Sequence, residues 1–366
     1  MIPVYRPFIG ATEKAYVADA VESTWISSKG AYLQRFEEGF AAFISAGHAV
    51  ATCNGTVSLH LILEALGLGA GDEVIVPTLT YVASVNAITY TGATPVFVDS
   101  DPVHWNLDPA DVAAKITPRT KAIMVVHLYG HPADMDPILA LGREHGIPVI
   151  EDAAEAHGAE YRGRRVGAMG LAGSFSFFGN KIITTGEGGM VVSNDAEFAE
   201  RCRHLRGQGV SPTRTYWHDV VGFNYRMTNI AAAIGVAQLE RVDDVIETKR
   251  RLAHRYVEAL ADVESLTLPP EMPWARSVYW MVSVLVEPSL RDPLMAYLKE
   301  RGIETRPFFY PAHTLPMYET SSRFPVAERL GASGINLPSF PELTDAEIDE
   351  VCAGIRGFMA EGAHAR

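Results

Sequence analysis

Residues Gly173–Met190 read GSFSFFGNKIITTGEGGM. In SFSFF, hydroxyl and aromatic side chains alternate, so a strand there sets Ser174 and Ser176 on one face and Phe175 and Phe177 on the other. A Gly-Asn turn follows, then Lys181, then a loop of small residues ending in Gly-Glu-Gly-Gly, then the apolar run MVVS. Lys181 is therefore expected between two short strands, with hydroxyls and glycines beside it and no bulky neighbour in the way. An amine so placed can reach a flat carbonyl ligand and bond to it as a Schiff base. Taken alone, a turn lysine is more often a plain surface residue. The rest of the chain decides between the two.

The chain has 366 residues, enough for one large and one small domain, expected at 1–245 and 246–366. It is 48% hydrophobic and 20% charged, an ordinary globular balance, and its net charge of −13 argues against nucleic acid or an anionic membrane as a partner. A phosphate-bearing small ligand needs only a few local donors and stays open. The three cysteines, Cys53, Cys202 and Cys352, are too scattered for a disulfide framework or a metal cluster, so no metal is expected; Cys53 reads as a small buried residue. The N-terminal MIPVYRPFIGATEKAY has no apolar leader core, and no run approaches 18 apolar residues, so a soluble, cytoplasmic protein is expected.

After the extended arm IPVYRPFIG, helices are expected at roughly 11–23 and over LQRFEEGFAAFI, joined by STWISSKGAY. Ser27, Ser28 and Lys29 line either a site mouth or a solvated loop. The strand HAVAT then runs through CNGTVS into the apolar helix SLHLILEALGL. A strand, a Gly-Thr turn and a helix N-terminus offer free N–H groups and a positive dipole end to an anion, with Gly55 allowing close approach and Thr56 adding a hydroxyl. An ordinary helix start fits as well. Tyr81 lies just past the next strand, where ligands of open α/β sheets sit, and it stacks on a ring or joins the core. Asp108-Pro109 and Asp136-Pro137 read as helix starts. GIPVIEDAAEAHGA is a buried strand ending in Glu151-Asp152; Asp152 either enters the ligand crevice or caps a helix over AAEAHGA.

These apolar strands alternating with helices call for an α/β fold with a mostly parallel central sheet covered on both faces. IAAAIGVAQLERVDDVIETKRRLAHRYVEAL reads as one long helix, capped by Thr228 or Asn229, with the domain boundary in or just after it. The tail reads as a small α+β domain: the strand SVYWMVSVLVE, the helix PLMAYLKERGIE, the loop TRPFFYPAHTLPMY and a last helix with Thr344 and Glu347 as capping box. The terminal HAR is expected to fray.

Together these parts suit pyridoxal 5′-phosphate: a helix N-terminus with hydroxyls for the phosphate, an aromatic for the ring, a carboxylate that keeps the pyridine nitrogen protonated, and a lysine for the aldehyde. At this point the chain resembles the sugar aminotransferases of the DegT/DnrJ/EryC1/StrS family. The resemblance runs through WISSKG (25–30), NGT (54–56), PTLTYVAS (77–84), VHLYGHPADM (126–135), EDAAEAHGA (151–159), SFSFFGNKIITTGEGGM (174–190), GFNYRMTN (222–229) and NLPSFPEL (336–343). It implies an aspartate-aminotransferase-like fold (fold type I), with Lys181 as the cofactor-bonding lysine and Asp152 as partner of the ring nitrogen. It also implies that Tyr81 stacks on the ring and that Gly55, Thr56 and Ser176 hold the phosphate. Asn224 would reach the neighbouring subunit's phosphate, because family members are homodimers with shared sites. Many members carry Gln where this chain has Glu155, opposite the cofactor's 3-oxygen. A carboxylate there repels a phenolate-like oxygen unless one of the two is protonated.

The implied reaction is a two-stage transamination in which Lys181 serves as general base and acid. The amino donor is expected to be L-glutamate and the acceptor a nucleotide-linked 4-keto-6-deoxy sugar. GDP-4-keto-6-deoxy-D-mannose, giving GDP-perosamine, is preferred; a UDP- or dTDP-linked 4-keto sugar is the alternative. Candidate substrate contacts are Tyr5 and Arg6 on the arm, Ser27 and Lys29, and Arg306, Tyr310 and His313 in the C-terminal loop, since an anionic diphosphate needs local cations on an acidic chain. Dehydratase relatives replace the lysine with His, which this chain does not. A nicotinamide-dinucleotide reading lacks a Gly-x-Gly-x-x-Gly turn after the first strand.

Overall fold

The computed structural model describes residues 1–364. Helices α1 (Ala11–Glu22) and α2 (Ala31–Ile44) follow the arm. Next come β1 (His48–Thr52), α3 (Gly55–Leu66), β2 (Glu73–Pro77), α4 (Val82–Tyr90), β3 (Thr94–Val98), α5 (Pro109–Lys115), β4 (Thr120–Val126), α6 (Met135–His145) and β5 (Val149–Asp152). Two short strands, β6 (Glu160–Tyr161) and β7 (Arg164–Arg165), precede β8 (Ala172–Ser176) and β9 (Gly189–Ser193). Helices α7 (Ala196–Arg206), α8 (Asn229–Leu239) and α9 (Val242–Leu260) lead to β10 (Ala275–Arg276), β11 (Val282–Leu285), α10 (Pro288–Glu300), β12 (Arg306–Pro307), α11 (Pro325–Ser333), β13 (Gly334–Leu337) and α12 (Asp345–His364). The expected fraying of HAR concerns Ala365 and Arg366, which lie outside the described residues.

The central sheet has seven strands in the order β1-β9-β8-β5-β4-β2-β3. Neighbours from β8 through β3 run parallel, and β9 runs against both β8 and β1. The sheet is thus mostly parallel, as the continuous apolar strands require. Strand alternation sorts the side chains into two cores. Ile75, Ile123, Val125, Val149, Phe175, Met190 and Val192 join one with Phe36 and Phe40 of α2. Val74, Val76, Ala122, Met124, Ile150 and Val191 join the other with Leu59 and Ile62 of α3 and Phe198 of α7. A third core joins Leu252, Tyr256 and Leu260 of α9 to the sheet β11-β13-β12 and to α10 and α12 through Leu298 and Ile348.

Several local expectations are corrected. The long helix breaks between Leu239 and Val242. Contacts with the N-terminal region hold the break: Tyr16 donates to Glu240 Oε1 at 2.9 Å, and Arg241 reaches the Phe8 carbonyl at 2.8 Å and Glu13 Oε1 at 2.5 Å. AAEAHGA forms turns and no helix, because Asp152 Oδ1 takes the Ala154 N–H at 3.1 Å and Gly158 sits at φ +78°. Helix α6 starts at Met135 with Asp134 at the cap position, so Asp136 falls within the first turn. Cys53 is only half-buried. Helix α11 escapes the local pattern because its cap is tertiary: Asp99 accepts from the Val326 and Ala327 N–H groups at 3.2 and 2.8 Å. The Asp108 cap, the Thr228 cap and the Thr344–Glu347 box all form.

The ring of Phe40 meets Phe36, Phe43, His157, Phe175 and Phe177. Phe40→Ala should therefore remove about 3–5 kcal/mol and lower the thermal midpoint by roughly 5 °C or more. Differential scanning calorimetry of the variant tests this, and an unchanged midpoint would contradict the packing.

Candidate active site

Parallel strands deliver their C-terminal ends to one edge of the sheet, and the site forms there. Helix α3 starts directly after β1 with Asn54 as its N-cap, whose side chain accepts from the Val57 N–H at 3.0 Å. The helix itself leaves the Gly55 and Thr56 N–H groups for an outside acceptor. Ser176, at the end of β8, closes on this turn. A Cβ on Gly55 would lie 2.7 Å from the Ser176 Cβ, so no other residue fits. Ser174 Oγ donates to the Gly55 carbonyl at 3.3 Å and ties the same two elements. The expected serine face and phenylalanine face of SFSFF are both present.

Asp152 ends β5 and is buried. Ser84 Oγ donates to its Oδ2 at 2.7 Å, and the Ala154 N–H to its Oδ1 at 3.1 Å. Burial raises its pKa, and these bonds and the Lys181 charge only partly offset that. Its neighbour Glu151 faces the other way, buried as well, and accepts from His127 Nε2 at 3.1 Å and from the N–H groups of Gly167, Met169 and Gly170 at 2.6, 2.6 and 2.8 Å. Burial works to raise Glu151 too, but His127 and the backbone donors outweigh it and hold the pKa low.

Lys181 is buried in the β8–β9 connection. Its Nζ lies 3.7 Å from Glu155 Oε1 and 3.9 Å from the centre of the Trp280 ring. Burial lowers its pKa against the pull of Glu155 and Asp152. Glu155 Oε2 accepts from the Tyr129 N–H at 2.7 Å, and burial pushes the Glu155 carboxyl up to about 7. A carboxyl so shifted readily carries a proton, which answers the repulsion anticipated from the sequence.

Tyr81 is the exposed N-cap residue of α4, its ring tilted against Phe309 at 5.5 Å. Tyr5 reaches the site from behind: its hydroxyl donates to the Lys181 carbonyl at 2.5 Å. Tyr310 and Arg306 are exposed, with Arg306 3.6 Å from Glu304. His313 is buried, with Nδ1 2.7 Å from Thr78 Oγ1 and Nε2 3.4 Å from Glu328, so it latches the C-terminal loop to the end of β2. Arg6 lies over the Phe340 ring at 5.0 Å and 3.3 Å from Glu342. Ser27 and Lys29 are exposed, and Lys29 lines a cavity of about 300 Å3 with Ser28, Arg206 and Arg226. Asn224 is exposed nearby, its Oδ1 accepting from Arg226 at 2.8 Å. Within one chain, therefore, Gly55, Thr56 and Ser176 form one cluster and Asp152, Glu155 and Lys181 another along the same edge, while Asn224, Ser27 and Lys29 form a separate surface group.

Ser84, Tyr129 and Trp280 were not candidates from the sequence. Ser84 had a signal, since it ends PTLTYVAS three residues after Tyr81. Trp280 had none, because it arrives from the distant segment between β10 and β11.

The two clusters fit pyridoxal phosphate. Asp152 is a buried carboxylate whose pKa calls for a cation, as a protonated pyridine nitrogen supplies, and the Gly55–Ser176 closure is a cradle that a Cβ would fill. Among the described residues no group of side chains could hold a metal ion, and no helix is long and apolar enough to cross a membrane.

The model of the DegT/DnrJ/EryC1/StrS aminotransferase family matches residues 7–356. The chain is similar to the GDP-perosamine synthase of Escherichia coli O157:H7, with 53% identity over 98% of this chain and 99% of that protein. It is similar to the GDP-perosamine synthase of Caulobacter vibrioides, with 51% identity over 97% of each. It also resembles the solved structure of DesV from S. venezuelae in complex with a ketimine intermediate, with a TM-score of 0.91 and 39% identity over 95% of this chain and 94% of that one.

Glu155 binds a proton more tightly folded, at about 7, than at the ordinary value of 4.5. The stability tied to that proton is complete below about pH 4.5 and is lost as pH rises through about 7. Glu155→Gln removes this titration. In cofactor-free protein the variant's thermal midpoint should gain on the wild type by several degrees between about pH 5 and pH 7.5. A pH-independent difference would show that Glu155 is already ionised.

Proposed function

The chain belongs to the DegT/DnrJ/EryC1/StrS aminotransferase family, and on that premise we propose that it moves the amino group of L-glutamate to C4 of GDP-4-keto-6-deoxy-D-mannose, giving GDP-perosamine. The protein is a pyridoxal-phosphate-dependent sugar aminotransferase, acting on an amino donor and a keto sugar. The full-length similarity to two GDP-perosamine synthases carries the choice of sugar and nucleotide.

Bound pyridoxal phosphate supplies an electrophilic carbon and an electron-accepting ring. This chain's residues do the rest. The first turn of α3 and Ser176 would hold the phosphate, Tyr81 would stack on the ring, and Asp152 would keep the ring nitrogen protonated. Ser84 keeps Asp152 aimed. Lys181 would bond the cofactor at rest. When its amine is free, it takes the proton from the donor's α-carbon in the first half-reaction and delivers one to C4 of the sugar in the second. The low pKa that burial imposes on the amine suits both directions. Glu155, in protonated form, donates toward the 3-oxygen.

Lys29, Ser27 and Tyr310 are exposed and open to the sugar nucleotide, and exposed Arg306 would meet it on leaving Glu304. Tyr5 and His313 shape the site from behind, and Arg6 would have to leave Glu342 to take part. Asn224 lies on the surface, as a residue completing a partner subunit's phosphate site must, and a homodimer with shared sites belongs to this reading. So do the division into a cofactor-binding domain to about residue 245 and a smaller C-terminal domain, and a cytoplasmic location.

The test begins with enzyme charged by glutamate into its pyridoxamine form. GDP-4-keto-6-deoxy-D-mannose should restore the visible absorbance of the lysine-bound cofactor, and UDP- or dTDP-linked 4-keto sugars should do so far more slowly. Recovery with one of those alone would keep the aminotransferase and replace the substrate. Lys181→Arg keeps the charge and should lose turnover by roughly 10³-fold or more with the fold intact by circular dichroism. Near wild-type activity in that variant would remove Lys181 from the mechanism.

A further inference from the structure

Two successive carbonyls in the loop that carries Lys181 are gripped from outside it. The Trp280 Nε1–H donates to the Asn180 carbonyl at 2.6 Å, and the Tyr5 hydroxyl donates to that of Lys181 at 2.5 Å. The two grips are themselves joined. Lys249, a buried lysine of α9, donates to the Trp280 carbonyl at 2.9 Å and to Ser339 Oγ at 3.0 Å, and also meets the Ser339 carbonyl. The Ser339 N–H donates to the Val4 carbonyl at 3.1 Å, next to Tyr5. A circuit therefore runs from the lysine loop through Trp280, α9 and the arm back to the lysine loop.

Trp280 also presents its ring to the lysine amine, 3.9 Å from ring centre to Nζ, and is itself buried and stacked on Tyr129 at 6.2 Å and 15°. We propose that Trp280 is the positioning residue for the Lys181 amine, its Nε1–H pinning the loop while its ring face holds the protonated amine during the interval when that amine is free. This rests on the reading of Lys181 as the transfer base.

The other groups that face the amine are Glu155 at 3.7 Å and Asp152 through its charge; His157 is kept neutral by burial and by the Lys181 charge, its pKa pushed down to about 3. The two carboxyl groups favour the ammonium, whereas burial opposes it. The ring, 3.9 Å away, adds an attraction of its own, because a π face draws a desolvated cation. Such a face stabilises the ammonium without the risk of a third buried anion, whose own charge would then need a partner.

The test reads the protonation of Lys181 in the full-length chain freed of cofactor, so it does not depend on the cofactor reading, which Lys181→Arg examines separately. Limited acetylation is followed against pH, with the extent at Lys181 taken from peptide mass spectrometry. Trp280→Leu keeps the surroundings apolar and removes the face, so the labelling midpoint should fall by about one pH unit. Should that variant fail to fold, replacing the chain's five tryptophans with 5-fluoro- and then difluorotryptophan keeps the shape and weakens the face, and the midpoint should fall in two steps. A tryptophan that serves only as packing would leave the midpoint in place under fluorination. An unmoved midpoint, in Trp280→Leu or in the fluorinated protein, overturns the proposal.

Discussion

Two consecutive carboxylates at the end of β5 set the terms for the rest of the molecule. Strand geometry turns Glu151 and Asp152 to opposite sides. Both are buried, and burial alone would raise the pKa of each. Glu151 meets three backbone N–H groups and His127, and its charge is fully answered by the fold. It locks the 167–170 loop and the end of β4 around itself. Asp152 has one hydroxyl and one N–H, too few to answer a charge in that setting. One carboxylate is finished by folding and the other is left for a cationic ligand. Removing Glu151 would disturb the architecture, whereas removing Asp152 would relieve it, as expected when a fold carries strain for function.

The same logic extends along the sheet edge. Each contributing strand stops where its last residue is needed, and the C-terminal region closes over that edge. The Phe309 N–H donates to the Tyr129 hydroxyl at 3.0 Å, and the Ala312 N–H to the Thr78 carbonyl at 2.7 Å. His313 and Glu328 extend the second contact into α11, which Asp99 caps from the end of β3. The loop carrying Tyr310 is therefore anchored on the strands that carry the site. The chain's two ends meet the site together, the arm through Tyr5 and the C-terminal region through Trp280, so its geometry is over-determined from both sides.

Much of this was legible in the sequence, for local reasons. Alternation in SFSFF is a two-residue pattern, and the serine and phenylalanine faces fell where it put them. Apolar strands ending in Asp152 and helices starting at Asn54-Gly55 and Asp108 are equally local. What stayed hidden depends on distant contacts. The break at Glu240-Arg241 is made by Tyr16, Glu13 and Phe8, and nothing between Asn229 and Leu260 announces it. The cap of α11 is 227 residues away in Asp99. Ser84 lies in PTLTYVAS, but that its hydroxyl meets Asp152, 68 residues away, depends on the fold. His313 and Tyr5 drew notice as candidate substrate contacts; the structure adds that each also makes a long-range hydrogen bond, His313 to Thr78 and Tyr5 to the Lys181 carbonyl, which residue type does not reveal.

Glu155 illustrates how a buried carboxyl can be accommodated electrostatically. The chain places this carboxyl beside an anionic neighbour, Asp152, and a buried amine. Burial drives the carboxyl toward its neutral form, while Lys181 at 3.7 Å and the Tyr129 N–H pull the other way. The proton is therefore a property of the Lys181–Glu155 pair more than of either member. When Lys181 carries charge, Glu155 can ionise beside it. When that charge is withdrawn, Glu155 is left against Asp152 in a dry pocket and takes up a proton. The carboxyl thus tracks the lysine, presenting a donor when the amine is neutral and a counter-charge when it is not. A fixed amide could not do this, because the two groups share one local balance of charge.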